Sequence, residues 1–166
     1  MIDISKLSSH YDVRRLTDAD AEEVLALCRE NTLFYEYSDA EPTREQVLRD
    51  MHITPPGTGA ERKYFVGFYD GADLVAVMDL IDGYPTPETA YIGYFMMDVR
   101  SQGRQIGSAI VRGAEEYLRS VGMKTIRLGI DKGNPQSTHF WKKNGYAVIR
   151  ETVKNGRAFL EAEKVL

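Results

Sequence analysis

The sequence predicts a mixed α/β fold with a mostly antiparallel sheet and one strand–helix–strand crossover near the middle of the chain. Three observations indicate this fold: two hairpin signals, a long amphipathic helix, and an apolar strand pattern on each side of that helix. A crossover of this kind makes its two strands parallel neighbours. Because 166 residues with 43% hydrophobic content and no linker or repeat suit one core, we expect a single domain over residues 1–166.

The first third of the chain reads as one strand followed by two helices. YDVRRLT is typical of a strand, and Thr17 or Asp18 can cap a helix over about Ala19 to Asn31. The tyrosine-rich segment that follows is broken by Pro42 and predicts no element. Thr43 can cap a second helix and form a capping box with Gln46, and PPGTG at 55–59 is a loop.

The rest of the chain alternates strands and helices. Strands KYFVGFY and LVAVMDLI flank a hairpin turn at Asp70-Gly71, and TAYIGYFMMDV is the next strand. A helical stripe runs from Ile106 to Val121 and ends at Gly122, a natural C-cap. The strand TIRLGI, the short helix PQSTHFWKKN and a second hairpin around Asn155-Gly156 complete the prediction.

Charge and cysteine content narrow the class of function. A formal net charge of −4 and a pI near 5.4 argue against nucleic acid as the partner and fit an enzyme or a binder of small cations. The single cysteine, Cys28, falls in a helical pattern, so we expect it to be buried in a cytoplasmic protein. No signal-peptide pattern and no run of about 18 apolar residues is present, so we expect no membrane association.

The stretch SQGRQIGSA, residues 101–109, places two glycines, an arginine and no acid where a strand gives way to a helix. A helix start leaves backbone N–H groups unpaired and carries partial positive charge, so it favours anions. Gly103 and Gly107 let an oxyanion approach the backbone, Arg104 adds a cation, and Ser108 adds a hydroxyl. The stretch therefore suits a diphosphate, although an ordinary strand–helix turn explains it equally well when it is taken alone.

This stretch lacks the sequence of a P-loop and the glycine spacing of a dinucleotide fold. It resembles the acyl-CoA loop of the GNAT superfamily of N-acetyltransferases, whose signature is Gln/Arg-x-x-Gly-x-Gly/Ala. The matching residues are Gln102-Gly103-Arg104-Gln105-Ile106-Gly107. Gln105 stands where the family has its first glycine, and we expect helical backbone angles to make this departure tolerable.

A second motif of the same superfamily, Asn-x-x-Ala-x-x-Phe/Leu-Tyr-x-Lys-x-Gly-Phe, resembles the segment from Asn134 to Tyr146. The order of strands and helices matches along the whole chain. The resemblance implies a twisted sheet of about seven strands, helices on both faces, and a central parallel pair that splays apart. It also implies transfer of an acetyl group from acetyl-CoA to a primary amine of a small molecule or peptide, by direct attack through a tetrahedral intermediate.

The resemblance also assigns residues to the coenzyme. An N–H near Met96 or Met97 would stabilise the oxyanion, and the exposed backbone of the splayed strand would pair with the pantetheine arm. Simple core packing remains an alternative explanation for Phe140 and Trp141, and a solvated surface position remains one for Lys143. The residues that the resemblance places at the coenzyme are Phe95, Met96, Met97, Gln102, Gly103, Arg104, Gln105, Ile106, Gly107, Ser108, Asn134, Phe140, Trp141 and Lys143.

The acid and base that many relatives use are absent. Trp141 stands where those relatives have a tyrosine acid, and indole does not donate a proton near neutral pH. The glutamate of the histone-modifying branch falls at Ile92, and that of the ribosomal-protein branch falls at Gly129. Asp79 and Tyr94 remain as candidate proton acceptors, since a carboxylate in an apolar strand is paired, exposed or functional.

The acceptor is expected between the first helices and the strand ends. Tyrosines and carboxylates there suit a cationic amine, although a solvated acidic loop explains them as well. The candidate residues are Tyr35, Glu36, Tyr37, Asp39, Tyr84 and Glu88. No spacing of histidines, cysteines or carboxylates predicts a metal site. The sequence allows a homodimer, and the missing acid and base leave a noncatalytic acyl-CoA-binding module as the alternative.

Overall fold

A computed structural model describes all residues from 1 to 166 and contains one seven-stranded sheet in the order β1-β2-β3-β4-β5-β7-β6. Its strands are β1 Asp12–Arg15, β2 Lys63–Asp70, β3 Asp73–Asp82, β4 Thr89–Met97, β5 Thr125–Asp131, β6 Ala147–Lys154 and β7 Arg157–Val165. Its helices are α1 Ala21–Glu30, α2 Thr32–Tyr37, α3 Arg44–His52, α4 Ile106–Ser120 and α5 Pro135–Lys143. Only β4 and β5 pair in parallel, which confirms the expected mixed sheet.

The sheet has a separate apolar core on each face. On one face, α1 and α3 pack on strand residues such as Phe65, Val77 and Met96. On the other face, α4 and α5 cover the larger core, in which Phe68 and Leu128 are almost fully buried. The helices therefore lie on both faces, and the parallel pair β4/β5 crosses the middle of the molecule.

The predicted turns and caps show where local sequence signals determine the structure. Asn155 and Gly156 both have positive φ, 51° and 74°, as a two-residue hairpin turn requires. The Thr43 side chain accepts a hydrogen bond from the N–H of Gln46 and starts α3. The capping box expected there is only half formed, because the Gln46 side chain donates to Asp50 Oδ1 at 2.8 Å.

Two boundaries in the first third differ from prediction. The helix expected from Ala19 is a short 3-10 turn over Asp18–Asp20 that leads into α1 at Ala21. The tyrosine-rich segment expected to be irregular contains α2, whose six residues begin directly after Asn31. A helix this short has almost no stability of its own, so its position depends on what it packs against.

The parallel ladder between β4 and β5 is short. It pairs Thr89–Ile92 with Thr125–Leu128 and ends there, and the Thr89 and Thr125 hydroxyls lie 2.8 Å apart at its start. A bulge next to Ile92 leaves Gly93 without a partner on β3. Beyond the ladder the two strands separate, and backbone of β4 faces an open gap. None of the helices is both long and apolar enough to cross a bilayer.

Candidate active site

Two cavities lie on either side of the gap between β4 and β5. The large cavity has a volume of about 470 Å³ and is bounded by the end of β4, the loop before α4 and one side of α5. The small cavity has a volume of about 220 Å³ and lies under α2 and α3, against the gap. Four residues line both cavities: Phe34, Phe95, Ser137 and Trp141.

The wall of the large cavity at the start of α4 presents free backbone donors. None of the N–H groups from Gly103 to Ser108 donates to another protein group. Gln105 has a φ of 61° and a ψ of 11°, so it is left-handed and the expectation of helical angles was wrong. Gly103 has a φ of 71° and open space where a Cβ would lie. Left-handed residues of this kind, alternating with right-handed ones, are typical of an anion-binding nest.

Gly107 has a packing role in addition to the one that the sequence suggested. Its missing Cβ would lie 3.2 Å from a ring carbon of Phe140 and 3.4 Å from the sulfur of Met97. The glycine therefore lets α4 pack closely on α5 and β4, in addition to leaving its N–H free. Ser108 is buried, and its Oγ accepts a hydrogen bond from Asn144 at 3.2 Å, which leaves the hydroxyl proton available.

The last residues of β4 alternate in the direction of their backbone groups. Asp98 N–H donates to Val75 on β3, and hydrogen-bonded pairs alternate along an antiparallel ladder. Met96 is therefore bonded to β3, whereas the N–H and C=O groups of Phe95 and Met97 point toward the gap. Of the two N–H groups suggested by the sequence, only that of Met97 faces the large cavity.

An aromatic cluster forms the floor where the two cavities meet. Phe95 and Phe140 stack at 5.7 Å between ring centroids, and Trp141 lies edge-on to Phe140 at 4.9 Å. Trp141 is buried but lines both cavities, so it is a packing residue and a wall at once. The cluster keeps this junction apolar.

The small cavity contains three carboxylates, and no Lys, Arg or His side chain lines it. Burial raises the pKa of Asp50 from its ordinary value, and the hydrogen bond from Gln46 and the charges of Lys63 and Arg49 oppose this only in part. Burial likewise raises the pKa of Asp131, against the opposing charge of Arg157. Asp39 is the third carboxylate and lies at the exposed side of the cavity.

Asp79, a predicted proton acceptor, lies outside both cavities in a buried ion pair. Its Oδ2 accepts from Lys63 Nζ at 2.7 Å, and Lys63 is only 4% exposed. Burial raises the pKa of Asp79 to about 6, although Lys63 opposes the shift. A Cβ on Gly93 would lie 2.6 Å from the same carboxylate oxygen, so the bulge covers this pair. Asp79 is therefore paired within the sheet through Oδ2 and lines neither cavity, while its Oδ1 has no hydrogen-bond partner.

Tyr94, the other predicted proton acceptor, lines the small cavity with its ring but not with a free hydroxyl. Its Oη lies 3.0 Å from the sulfur of buried Cys28. Burial, together with Cys28 and Tyr35, raises the pKa of Tyr94 well above its ordinary value. The Tyr94 hydroxyl is therefore engaged with Cys28 and is not free toward the cavity.

The remaining predicted residues separate into those near the cavities and those far away. Lys143 is exposed and lines the large cavity, whereas Arg104 is exposed and does not. Asn134 caps α5, is fully buried and lines neither cavity, and its Nδ2 has no hydrogen-bond partner. The other predicted contacts with the large cavity are made by Phe95, Met96, Met97, Gln102, Gly103, Gln105, Ile106, Gly107, Ser108, Phe140 and Trp141.

The predicted acceptor residues do not all come together. Tyr35 lines the small cavity, while the ring of Tyr37 lies beside Gly133 in the loop before α5. Tyr84 and Glu88 line neither cavity, since they precede β4 and therefore lie at the closed end of the gap. Tyr84 packs edge-on against Tyr91 there.

Sequence reasoning missed Asp50, Asp131, Asn31 and Gln136, all of which line a cavity. Asp131 had a usable signal, because it ends the strand expected to lie parallel to β4, and side chains at that end of the pair reach the gap. Asp50 lies four residues after Gln46 on the same face of α3, but only the packing of α3 over the gap brings it into the cavity.

Comparison with known proteins gives one family and many similar folds. A sequence model of the acetyltransferase (GNAT) family matches residues 22–146. No curated protein matches the chain. An acetyltransferase from Thermus thermophilus has a similar structure, with a TM-score of 0.70 at 22% identity, over 93% of this chain and 96% of that chain.

Two further structures show the same fold. The PaiA N-acetyltransferase from Thermoplasma acidophilum, in complex with coenzyme A, aligns with a TM-score of 0.65 at 18% identity, over 92% of this chain and 98% of that chain. RimL, a ribosomal L7/L12 alpha-N-protein acetyltransferase, aligns with a TM-score of 0.74 at 16% identity, over 100% of this chain and 96% of that chain. At such identities the structures show a shared fold.

Proposed function

The chain belongs to the acetyltransferase (GNAT) family and is an acetyl-CoA-dependent N-acetyltransferase; from this premise, we propose that it acetylates a primary amine that binds as a cation in the small cavity. The amine belongs to a small molecule or a peptide. One observation carries the proposal: a cavity with three carboxylates and no basic side chain shares four wall residues with the cavity suited to the coenzyme. We assign this activity to one domain, because a single sheet includes strands from residue 12 to residue 165.

The residues around the large cavity fit a diphosphate-bearing thioester. The free N–H groups from Gly103 to Ser108 would hold the diphosphate, and exposed Lys143 would pair with a phosphate. The backbone of Phe95 would pair with the pantetheine arm, whereas the Met97 carbonyl already accepts a hydrogen bond from Asn31. The unpartnered Nδ2 of Asn134 would reach a polar atom of that arm only after a local rearrangement, because Asn134 is fully buried and does not line the cavity. When bound, acetyl-CoA supplies an acetyl group activated as a thioester.

The N–H of Met97 is the donor we assign to the reacting carbonyl. It faces the large cavity, has no partner on β3, and lies on a strand rather than a mobile loop. A fixed donor of this kind favours the negative charge that develops on oxygen when an amine attacks. Met96 is excluded from this role because its N–H is directed to β3.

Asp50 is the proton acceptor we propose in place of Asp79 and Tyr94. It lines the small cavity, and only Gln46 among neighbouring side chains donates a hydrogen bond to it. A carboxylate with a raised pKa accepts a proton from an ammonium group more readily than an ordinary one. Asp39 and Asp131 then remain to pair with positive charge on the acceptor.

The test is release of coenzyme A thiol from acetyl-CoA with matched pairs of amines. 1,5-Diaminopentane and pentylamine have the same chain and the same reacting group but differ in one positive charge. If the spare carboxylates bind that charge, kcat/KM is at least about tenfold higher for the diamine, a free-energy difference of about 1.4 kcal/mol. Equal or faster turnover of pentylamine would contradict the assignment of a cationic acceptor.

A peptide acceptor is tested in the same assay with short peptides that differ only in a free or blocked α-amino group. Coenzyme A binding without thiol release for any amine or peptide would instead favour a noncatalytic acyl-CoA-binding module. Membership of the acetyltransferase family favours catalysis. We place the protein in the cytoplasm, a reducing compartment that suits the free thiol of Cys28.

A further inference from the structure

We propose that Asn31 is a positioning residue that couples the coenzyme cavity to the acceptor cavity, by joining the loop before α4 to the start of α2. The inference rests on the proposed function, because it concerns the communication between the two binding sites of that function. It is carried by a hydrogen-bond network around one buried amide side chain.

Asn31 is the only residue between α1 and α2, and it is 6% exposed. Its Nδ2 donates to the carbonyl of Leu27 in the last turn of α1 and to the carbonyl of Met97 at the end of β4, each at 2.9 Å. Its Oδ1 accepts from Gln102 Nε2 at 2.8 Å. Both donor hydrogens and the acceptor oxygen of one amide are therefore used, which fixes its orientation.

The network continues across the large cavity. Gln102 Nε2 also approaches the Met97 carbonyl at 3.3 Å, and Gln102 Oε1 accepts from Gln136 on α5 at 3.2 Å. Asn31, Met97, Gln102 and Gln136 all line the large cavity. Because Gln102 begins the segment whose N–H groups fit the diphosphate, any adjustment of that segment on binding reaches Asn31 through one hydrogen bond.

On the other side, Asn31 controls where α2 begins. Its backbone, with a φ of −85° and a ψ of 58°, is the break between the two helices. Phe34 and Tyr35 of α2 line the small cavity, and Phe34 lines the large cavity as well. A six-residue helix takes its position from its ends and its packing, so fixing Asn31 fixes these two rings.

The consequence is that coenzyme binding orders α2 before the acceptor arrives. Coupling between two sites is reciprocal, so an acceptor bound under α2 also strengthens coenzyme binding. A network of this size fits a coupling of about 10-fold. This coupling predicts that each ligand binds more tightly when the other is already bound, an effect that the two cavities alone would not impose.

The experiment is hydrogen–deuterium exchange of the whole protein with and without coenzyme A at saturation. In the natural protein, coenzyme A should slow exchange in residues 102–108 and, by about 10-fold, in residues 32–37. In the Asn31→Ala variant, the protection of residues 102–108 should remain, whereas the protection of residues 32–37 should fall below about 2-fold. A merely structural role of Asn31 would change exchange equally with and without coenzyme A.

Gln102→Leu removes the hydrogen bond to Asn31 from the other partner and should give the same loss of exchange protection in α2. This second variant keeps the test decisive if Asn31→Ala folds poorly. Thr32→Ala, at the exposed first residue of α2, is the matched control and should keep the full effect. Protection of α2 that survives both Asn31→Ala and Gln102→Leu, or that never appears in the natural protein while residues 102–108 are protected, would overturn the inference. No protection anywhere would instead count against the proposed coenzyme site.

Discussion

The large and small cavities share four wall residues but differ in the chemical groups that they present. The large cavity presents main-chain groups from one contiguous loop and one strand end, together with side chains of α5, Asn31 and Phe34. The small cavity presents side chains from three helices and three strands, α2, α3, α5, β4, β5 and β7. Under the proposed function, recognition of the diphosphate therefore depends on a short stretch of sequence, whereas recognition of the acceptor depends on the assembled fold.

The difference also determines how each site responds to substitution. A backbone N–H survives almost any change of side chain, so the N–H donors of the loop before α4 are altered only by changes in backbone conformation or close packing. A carboxylate is lost with a single substitution, so the small cavity can change its acceptor without changing the fold. Four predictions test this contrast, beginning with the largest expected effect.

Asp50→Asn should lower kcat by about 100- to 1,000-fold, because the amide cannot accept the proton of the attacking amine. In the natural protein kcat should fall as the pH drops and Asp50 takes up its proton. Burial raises the pKa of Asp50 above the ordinary value of 3.8, so this acid limb lies above that value. This fall of kcat at low pH should be absent from Asp50→Asn, as measured by thiol release across a range of pH.

Asp39→Asn is the control for charge, since it removes a carboxylate from the same cavity but keeps Asp50. It should raise KM for the diamine and leave the pH limb in place. An Asp50→Asn variant that keeps both its kcat and its acid limb would show that the proton goes elsewhere.

Gly107→Asp should weaken coenzyme A binding by about 100-fold, as measured by calorimetry. The new side chain would press on Phe140 and Met97, and its charge would oppose the phosphates. Gly107→Ala separates the two causes, since it adds the Cβ at 3.2 Å from Phe140 without the charge and should cost about tenfold or less. Coenzyme affinity unchanged in Gly107→Asp would refute the location of the diphosphate.

Gln105→Gly should stabilise the protein by about 0.5–1 kcal/mol, because a left-handed backbone is strained for glutamine and not for glycine. For a chain of this size that gain corresponds to a rise in Tm of about 1–4 °C. Asn155→Gly is the matched comparison at a φ of 51°, and its gain should be smaller because asparagine tolerates this region. A fall in Tm for Gln105→Gly would contradict the left-handed loop.

Trp141→Phe should change kcat by less than about threefold, because no proton passes through the indole and an aromatic wall remains. The stacked neighbours Phe95 and Phe140 keep the junction apolar in the variant. Calorimetric unfolding measured alongside turnover separates a packing defect from a catalytic one. A loss of several orders of magnitude with unchanged stability would make Trp141 a participant in the reaction.

Most of the fold could be predicted because its signals are local. The hairpin at Asn155-Gly156, the cap at Thr43 and the helix that ends before Gly122 depend on residues a few positions apart. The helix α2 was missed because six residues give too little periodicity and no cap beyond Asn31. Its structure comes from packing that a linear pattern does not contain.

The site was predictable to the extent that it is made of main chain. The free N–H groups after Gln102 follow from a motif, but the left-handed angle of Gln105 does not. The sequence suggested a functional role for Asp79 because a carboxylate in an apolar strand needs a partner. The structure shows that this partner is Lys63 on the neighbouring strand. Tyr84 and Glu88 were expected near the acceptor because they lie in the connection between two strands. They precede β4, whereas the cavities lie at its far end.

The hydroxyls of Thr86, Thr89 and Thr125 form a chain of 2.8 Å hydrogen bonds where β4 and β5 first meet. From these hydrogen bonds the two strands pair in parallel for four residues and then diverge. Each residue extends a strand by about 3.3 Å. A small change in the angle between β4 and β5 at the threonines therefore gives a larger change in their separation several residues farther on, where Phe95 and Met97 border the opening. The threonine hydroxyls therefore hold the two strands together at the closed end of the gap, and the angle between the strands at that end sets the width of the opening beside Phe95 and Met97.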